Sequence, residues 1–120
     1  MYQITKRFDF SASHVLDHLE AGHPCARLHG HNYCVEVVIS CASLDDRGFC
    51  QVDYRDLDPF KKWIDTVLDH RHLNDVLPIR PTAENIAKYL YTEARKISPY
   101  VTAVRVSETP KTWAEYRGPL

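Results

Sequence analysis

Hydrophobic and polar positions alternate at both ends of the chain and change period in the middle. Over residues 2–11, Ile4, Phe8 and Phe10 fall on one side and Thr5, Arg7 and Asp9 on the other, which predicts a half-buried strand. Residues 15–28 carry Gly22 and Pro24 and read as a long loop. Alternation returns over 31–42, where Tyr33, Val35, Val37, Ile39 and Cys41 share one face. Ser43 to Gly48 then reads as a turn and Phe49 to Tyr54 as a short strand. Asp58-Pro59 supplies an N-cap and a first-turn proline. Phe60, Trp63, Ile64, Val67 and Leu68 follow at helical spacing, so an amphipathic helix ends near Asp69. Pro78 and Pro81 punctuate the next loop, and Thr82 caps a second helix with Ile86, Leu90, Ala94 and Ile97 facing inward. Ser98-Pro99 ends it. Val101 to Glu108 and Thr112 to Arg117 return as strands on either side of Pro110.

The order β-β-(β)-α-α-β-β predicts one α+β domain over residues 1–120, with both helices on one face of an antiparallel sheet. Its flanking strands leave open edges, so an oligomer that pairs or closes them is expected. The 120 residues are 44% hydrophobic, enough for a core of their own. Fifteen basic against sixteen acidic residues leave a net charge of −1, which gives no footprint for DNA or RNA. No apolar run approaches the roughly 20 residues of a membrane span. The N-terminal segment lacks the apolar stretch of a signal peptide, so a cytoplasmic protein with reduced thiols is expected. The cysteines at 25, 34, 41 and 50 form no CxxC pair. Cys34, Cys41 and Cys50 lie in strand-like stretches and read as packing residues.

Histidine changes the picture. His14, His18, His23, His29 and His31 cluster in one stretch, and His70 and His72 form a second group. In extended chain, His29 and His31 point to one face, so both imidazoles can converge on one ion. If the first two strands pair antiparallel, His14 arrives beside them. Three imidazoles with a free fourth position are the catalytic Zn²⁺ arrangement, although an HxH pair alone is most often two surface histidines. His18 and His23 read as loop residues. Cys25, four residues before His29, is either a fourth ligand or a thiol just outside the metal shell. Asp69-His70 offers a carboxylate that orients an imidazole, or simply a histidine placed favourably at a helix C-terminus. Glu108 follows Val104 and Val106 on an apolar face. It is placed either to accept N–H donors from a guanidine-like ring edge or to twist into solvent.

The stretches FSASH (10–14), CxxxHGH (25–31), LDHRHLN (68–74), PTAEN (81–85) and SETP (107–110) together resemble the 6-pyruvoyltetrahydropterin synthase / 6-carboxytetrahydropterin synthase family. The bacterial branch, which serves queuosine and other deazapurines, is the closer match. The resemblance implies the tunnelling fold, ββααββ, whose trimers close a barrel and stack as a homohexamer. It implies His14, His29 and His31 as zinc ligands, with Cys25 as a catalytic thiol outside the metal shell. Asp69 and His70 become a second catalytic pair, supplied across a subunit interface. Glu108 becomes the pterin anchor with Thr109 beside it, and Asp53 and Tyr54 are architectural. The implied substrate is 7,8-dihydroneopterin triphosphate. The implied product is 6-carboxy-5,6,7,8-tetrahydropterin with acetaldehyde and triphosphate. The alternatives are a pyruvoyl product by triphosphate elimination, or a zinc-containing pterin binder without turnover. Arg27, Lys61, Arg71 and Arg80 are candidates for the triphosphate by charge alone.

Overall fold

A computed structural model describes residues 1–119. The two alternating segments become the longest strands, β1 (Tyr2–His14) and β2 (His29–Cys41), paired antiparallel over their whole length. β1 therefore runs three residues beyond the expected stretch. Two helices follow, α1 (Asp58–Val67) and, after the two-residue β3 (Arg71–His72) and the single turn α2 (Leu73–Val76), α3 (Ala83–Ile97). β4 (Val101–Thr109) and β5 (Thr112–Arg117) complete the sheet, in the order β3-β1-β2-β4-β5. The sheet is mixed, because β3 pairs parallel to β1 at Ala12 and Ser13. The remaining pairings are antiparallel, as expected.

Period two decides the core. Phe8, Phe10 and Ala12 of β1, Tyr33, Val35, Val37 and Ile39 of β2, and Val104 and Val106 of β4 meet Phe60 and Ile64 of α1 and Ile86, Leu90 and Ala94 of α3. Both long helices thus cover one face of an α+β sheet. Thr82 caps α3 as expected, its hydroxyl accepting from the Asn85 N–H at 3.2 Å. Asp58 does not cap α1; it pairs with Lys6 at 3.0 Å instead. Asp53 takes the capping role one turn earlier, closing a reciprocal box on the 3₁₀ turn Tyr54–Leu57.

Two expectations fail between β2 and α1. Residues Phe49–Tyr54 form no strand, because the backbone turns through positive φ at Gly48 and Gln51 and meets no partner ladder. Cys50 and Val52 are still buried, which is the pattern that mimicked a strand. Cys41 and Cys50 are not separate packing thiols either, nor are they reduced as expected. The Asp45 carboxylate gathers the N–H groups of Arg47 and Phe49, folding the loop back so that the two cysteines join in a disulfide. Cys34 is a free, buried thiol, as expected.

Candidate active site

The β1–β2 register sets His14 opposite His29 and Ala12 opposite His31. Alternation then turns all three imidazoles to the helix-covered face, where one nitrogen from each lies within 4.8 Å of the others. His14 is fully buried. Its Nδ1 lies 2.8 Å from the Pro81 carbonyl and 3.1 Å from the Tyr33 hydroxyl. His29 Nδ1 lies 2.7 Å from the Arg27 carbonyl. A ring nitrogen facing a carbonyl donates its proton there, which leaves both Nε2 atoms as bare lone pairs. Those two Nε2 atoms face one another at 2.8 Å, an arrangement that repels unless a cation is shared. His31 Nε2 is buried without a hydrogen-bond partner, 3.5 Å from Glu108 Oε2. Burial also pushes the His14 and His31 pKa values down, which keeps the neutral form that binds metal. Three converging imidazoles, one of them with an orphaned buried nitrogen, fit a metal ion of the nitrogen-preferring type.

Cys25 sits half-buried on the 3₁₀ turn Pro24–Ala26, and its sulfur is not one of the converging donor atoms. Asp69 and His70 do hydrogen-bond although adjacent: Asp69 Oδ2 lies 2.9 Å from His70 Nδ1. Asp69 Oδ1 accepts from the Ser11 N–H at 2.9 Å, and this bond first, then His70, holds the carboxyl below its ordinary value. His70 has φ of 60°, the left-handed region that usually ends helices at glycine. Such a conformation costs about 1–3 kcal/mol and persists where neighbours over-determine it. Here the His70 N–H donates to the Ser11 carbonyl at 2.6 Å. His70 and His72 line an open cleft of about 490 Å³ with Ser11, Ser13, Gly30 and Asn32. Ser11, Ser13, Gly30 and Asn32 alternate along the strands with Ala12 and His31, so His31 of the imidazole cluster borders this cleft as well, whereas Cys25 does not.

Glu108 is turned to the helix-covered face beside His31. It borders a separate cleft of about 280 Å³, with Leu16, Thr82, Glu84 and Thr112. Thr109 is exposed at the β4–β5 turn, its hydroxyl 3.4 Å from that of Thr112. Lys61 is engaged by Asp65, whereas Arg71 borders the His70 cleft. Sequence reasoning missed the carbonyls of Pro81 and Arg27, since a backbone acceptor carries no residue signature. It also missed Asn74, whose amide bonds both the N–H and the carbonyl of Val15 at 2.9 Å, next to His14. The asparagine ending LDHRHLN was its only signal.

Comparison with known proteins bears on this geometry. Residues 3–119 match the family model described as 6-pyruvoyl tetrahydropterin synthase. A relative from Archaeoglobus fulgidus, provisionally described as a 6-carboxy-5,6,7,8-tetrahydropterin synthase, is 37% identical, over 90% of this chain and 89% of its own. The 6-carboxy-5,6,7,8-tetrahydropterin synthase of Bacillus subtilis is 32% identical, over 97% and 85%. The 6-pyruvoyl tetrahydrobiopterin synthase of Drosophila melanogaster is 33% identical, over 97% and 79%. Among solved structures, that of the Caenorhabditis elegans 6-pyruvoyl tetrahydropterin synthase superposes with a TM-score of 0.85 at 25% identity, covering 98% of this chain and 96% of that one. Archaeal, bacterial and animal relatives all match, so these identities do not single out a bacterial branch.

Proposed function

The chain belongs to the 6-pyruvoyl tetrahydropterin synthase family, and from that premise we propose that it converts 7,8-dihydroneopterin triphosphate and water to 6-carboxy-5,6,7,8-tetrahydropterin, acetaldehyde and triphosphate. The proposed setting is cytoplasmic, in bacterial-type deazapurine biosynthesis, with Zn²⁺ as the metal and a homohexamer as the working assembly. The observation that carries the reading is the convergence of His14, His29 and His31, with His31 Nε2 orphaned beside Glu108. Zn²⁺ held by these three would supply a Lewis acid for the substrate's side-chain hydroxyl and the carbonyl that replaces it. The chain's own residues divide the rest. Glu108 accepts the N–H edge of the pterin ring and fixes its orientation. Cys25 takes a proton from the side-chain carbon. His70, with Nδ1 held by Asp69, keeps Nε2 free to move a proton on the other side. Thr109 lies beside the ring anchor.

A second reading, triphosphate elimination that stops at the 6-pyruvoyl product, draws on the Drosophila relative, whose identity matches that of the carboxy-forming one. The two outcomes differ by one water added across the bond between the two side-chain carbonyls. Incubation with dihydroneopterin triphosphate, followed by product mass and acetaldehyde trapping, separates them. The carboxy product with acetaldehyde supports the first reading. A pyruvoyl product without acetaldehyde replaces it with the second. No turnover, together with unfolding on chelation, would favour a non-catalytic zinc protein.

A further inference from the structure

The turn that carries Cys25 is held by a side chain that the chemistry above does not use. His23 caps it: Nδ1 of the His23 ring accepts the Cys25 N–H at 3.0 Å. An imidazole that accepts at Nδ1 carries its proton on Nε2, so the contact fixes the tautomer as well as the turn. The other ties run between backbone atoms. Leu16 N–H donates to the Cys25 carbonyl at 3.0 Å, and Ala26 N–H and Arg27 N–H donate to the carbonyls of His23 and Pro24. Leu16 itself follows His14 by two residues, and the Arg27 carbonyl orients His29. The Cys25 backbone is thus clamped from both sides against the strand ends that carry the imidazole cluster. Among the hydrogen bonds described at Cys25, the His23 ring is the side-chain contribution. Caps are ordinarily Ser, Thr, Asp or Asn, whose oxygen reaches the same amide.

We propose that His23 is the positioning residue of Cys25, setting where the thiol stands by holding its backbone N–H; the kinetic part rests on the proposed role of Cys25 as proton acceptor. Side-chain geometry makes this separable from a general structural role. Asn places Oδ1 where the ring has Nδ1, so it reproduces the acceptor. Gln places its oxygen one bond further out, where the ring has Nε2, and Ala has no acceptor.

The experiment compares His23→Asn, His23→Gln and His23→Ala with the wild type, and Cys25→Ala as a separate arm. Three quantities are read: metal content, hydrogen exchange at the Cys25 amide, and kcat and KM with dihydroneopterin triphosphate. The Ala and Gln variants are expected to exchange the Cys25 amide about tenfold faster and to lose about tenfold in kcat, with KM and metal content held. The Asn variant is expected to restore both. Unchanged exchange in the Ala variant overturns the hold. Faster exchange with unchanged kcat overturns the positioning role. An Asn variant that keeps its metal but fails like Ala overturns the acceptor argument. Normal turnover in Cys25→Ala overturns the proposed chemistry of Cys25 instead, and the exchange measurement, made without substrate, still decides the hold.

Discussion

His14 and His29 are poised to act as ligands because their far nitrogens are already committed. Each Nδ1 faces a backbone carbonyl, so each Nε2 is aimed before any ion arrives. His29→Ala removes one of three donors and no core side chain, so it is expected to lose metal and activity while far-UV dichroism stays native. Full metal occupancy in that variant, by elemental analysis, would contradict the assignment. The core cluster draws on all the long elements, so gentle chelation is likewise expected to abolish turnover and leave the fold. Asp69 makes a separate point at the same scale. Its folded pKa lies below the ordinary 3.8 because the Ser11 N–H, then His70, favour the charged form. The unfolded carboxyl therefore takes up a proton first as pH falls. The resulting stability is present above the unfolded pKa and is lost as pH drops through the folded one. The gap in urea midpoint between wild type and Asp69→Asn is expected to be full at about pH 6 and to close as pH falls below the unfolded value. A gap that persists under strong acid would assign it to something other than this carboxylate.

The segment after α1 is fastened to β1 side chain by side chain. Asp69 bonds the Ser11 N–H, His72 Nδ1 meets the Ser13 hydroxyl at 2.9 Å, and Asn74 bonds both polar groups of Val15. Asn74→Ala leaves that N–H and carbonyl part-buried and unpaired, a loss of about 1–2 kcal/mol that urea unfolding would measure. An unchanged midpoint would mean that water satisfies Val15 equally well. None of this stitching was legible in the sequence, because β3 and α2 are too short to show a period. The long elements were legible for the opposite reason. Phe8 and Phe10 against Tyr33 and Val35, and Ile86 against Leu90, repeat their spacing several times over. Residues 49–54 deceived because Cys50 and Val52 are buried two apart, yet beneath a folded-back loop rather than in a ladder. Sequence spacing could not reveal the Cys41–Cys50 bond, which depends on the Asp45 turn between them. Closing so short a loop is worth about 2.5 kcal/mol in the chain-entropy view. Denatured, unreduced protein is expected to react at two of its four cysteines, and Cys50→Ser to unfold at lower urea. Four reactive thiols would mean that the pair stands reduced.

At the scale of the molecule, one chain is more extended than its length requires. Its radius of gyration is 15.4 Å, against about 13.6 Å for a compact domain of this length. Its extents are 55 × 25 × 24 Å, and its longest strands are the paired β1 and β2. β3 covers β1 only at Ala12 and Ser13, which leaves residues 2–10 as a free edge, and β5 is the edge on the other side. The face away from the helices carries a charged network. Arg105 is paired there to Glu36 and Glu115 in register across three strands. Edges rather than faces therefore invite a second copy, and a closed ring of chains would satisfy all of them at once. The placement of the chemistry points the same way. His70 borders an open cleft whose lining does not include Cys25. In a closed ring, His70 of one chain can serve Cys25 of its neighbour. Mixing decides this. Cys25→Ala and His70→Ala are each expected to be nearly inactive alone, with light scattering showing an assembly well above the 13.9 kDa of one chain. Unfolded together at equal amounts and refolded, random assembly gives about a quarter of the sites both an intact Cys25 and an intact His70. Activity near a quarter of wild type is therefore the expected result. A mixture as inactive as its components would place both groups in one chain's site, and an active monomer would remove the need for a ring.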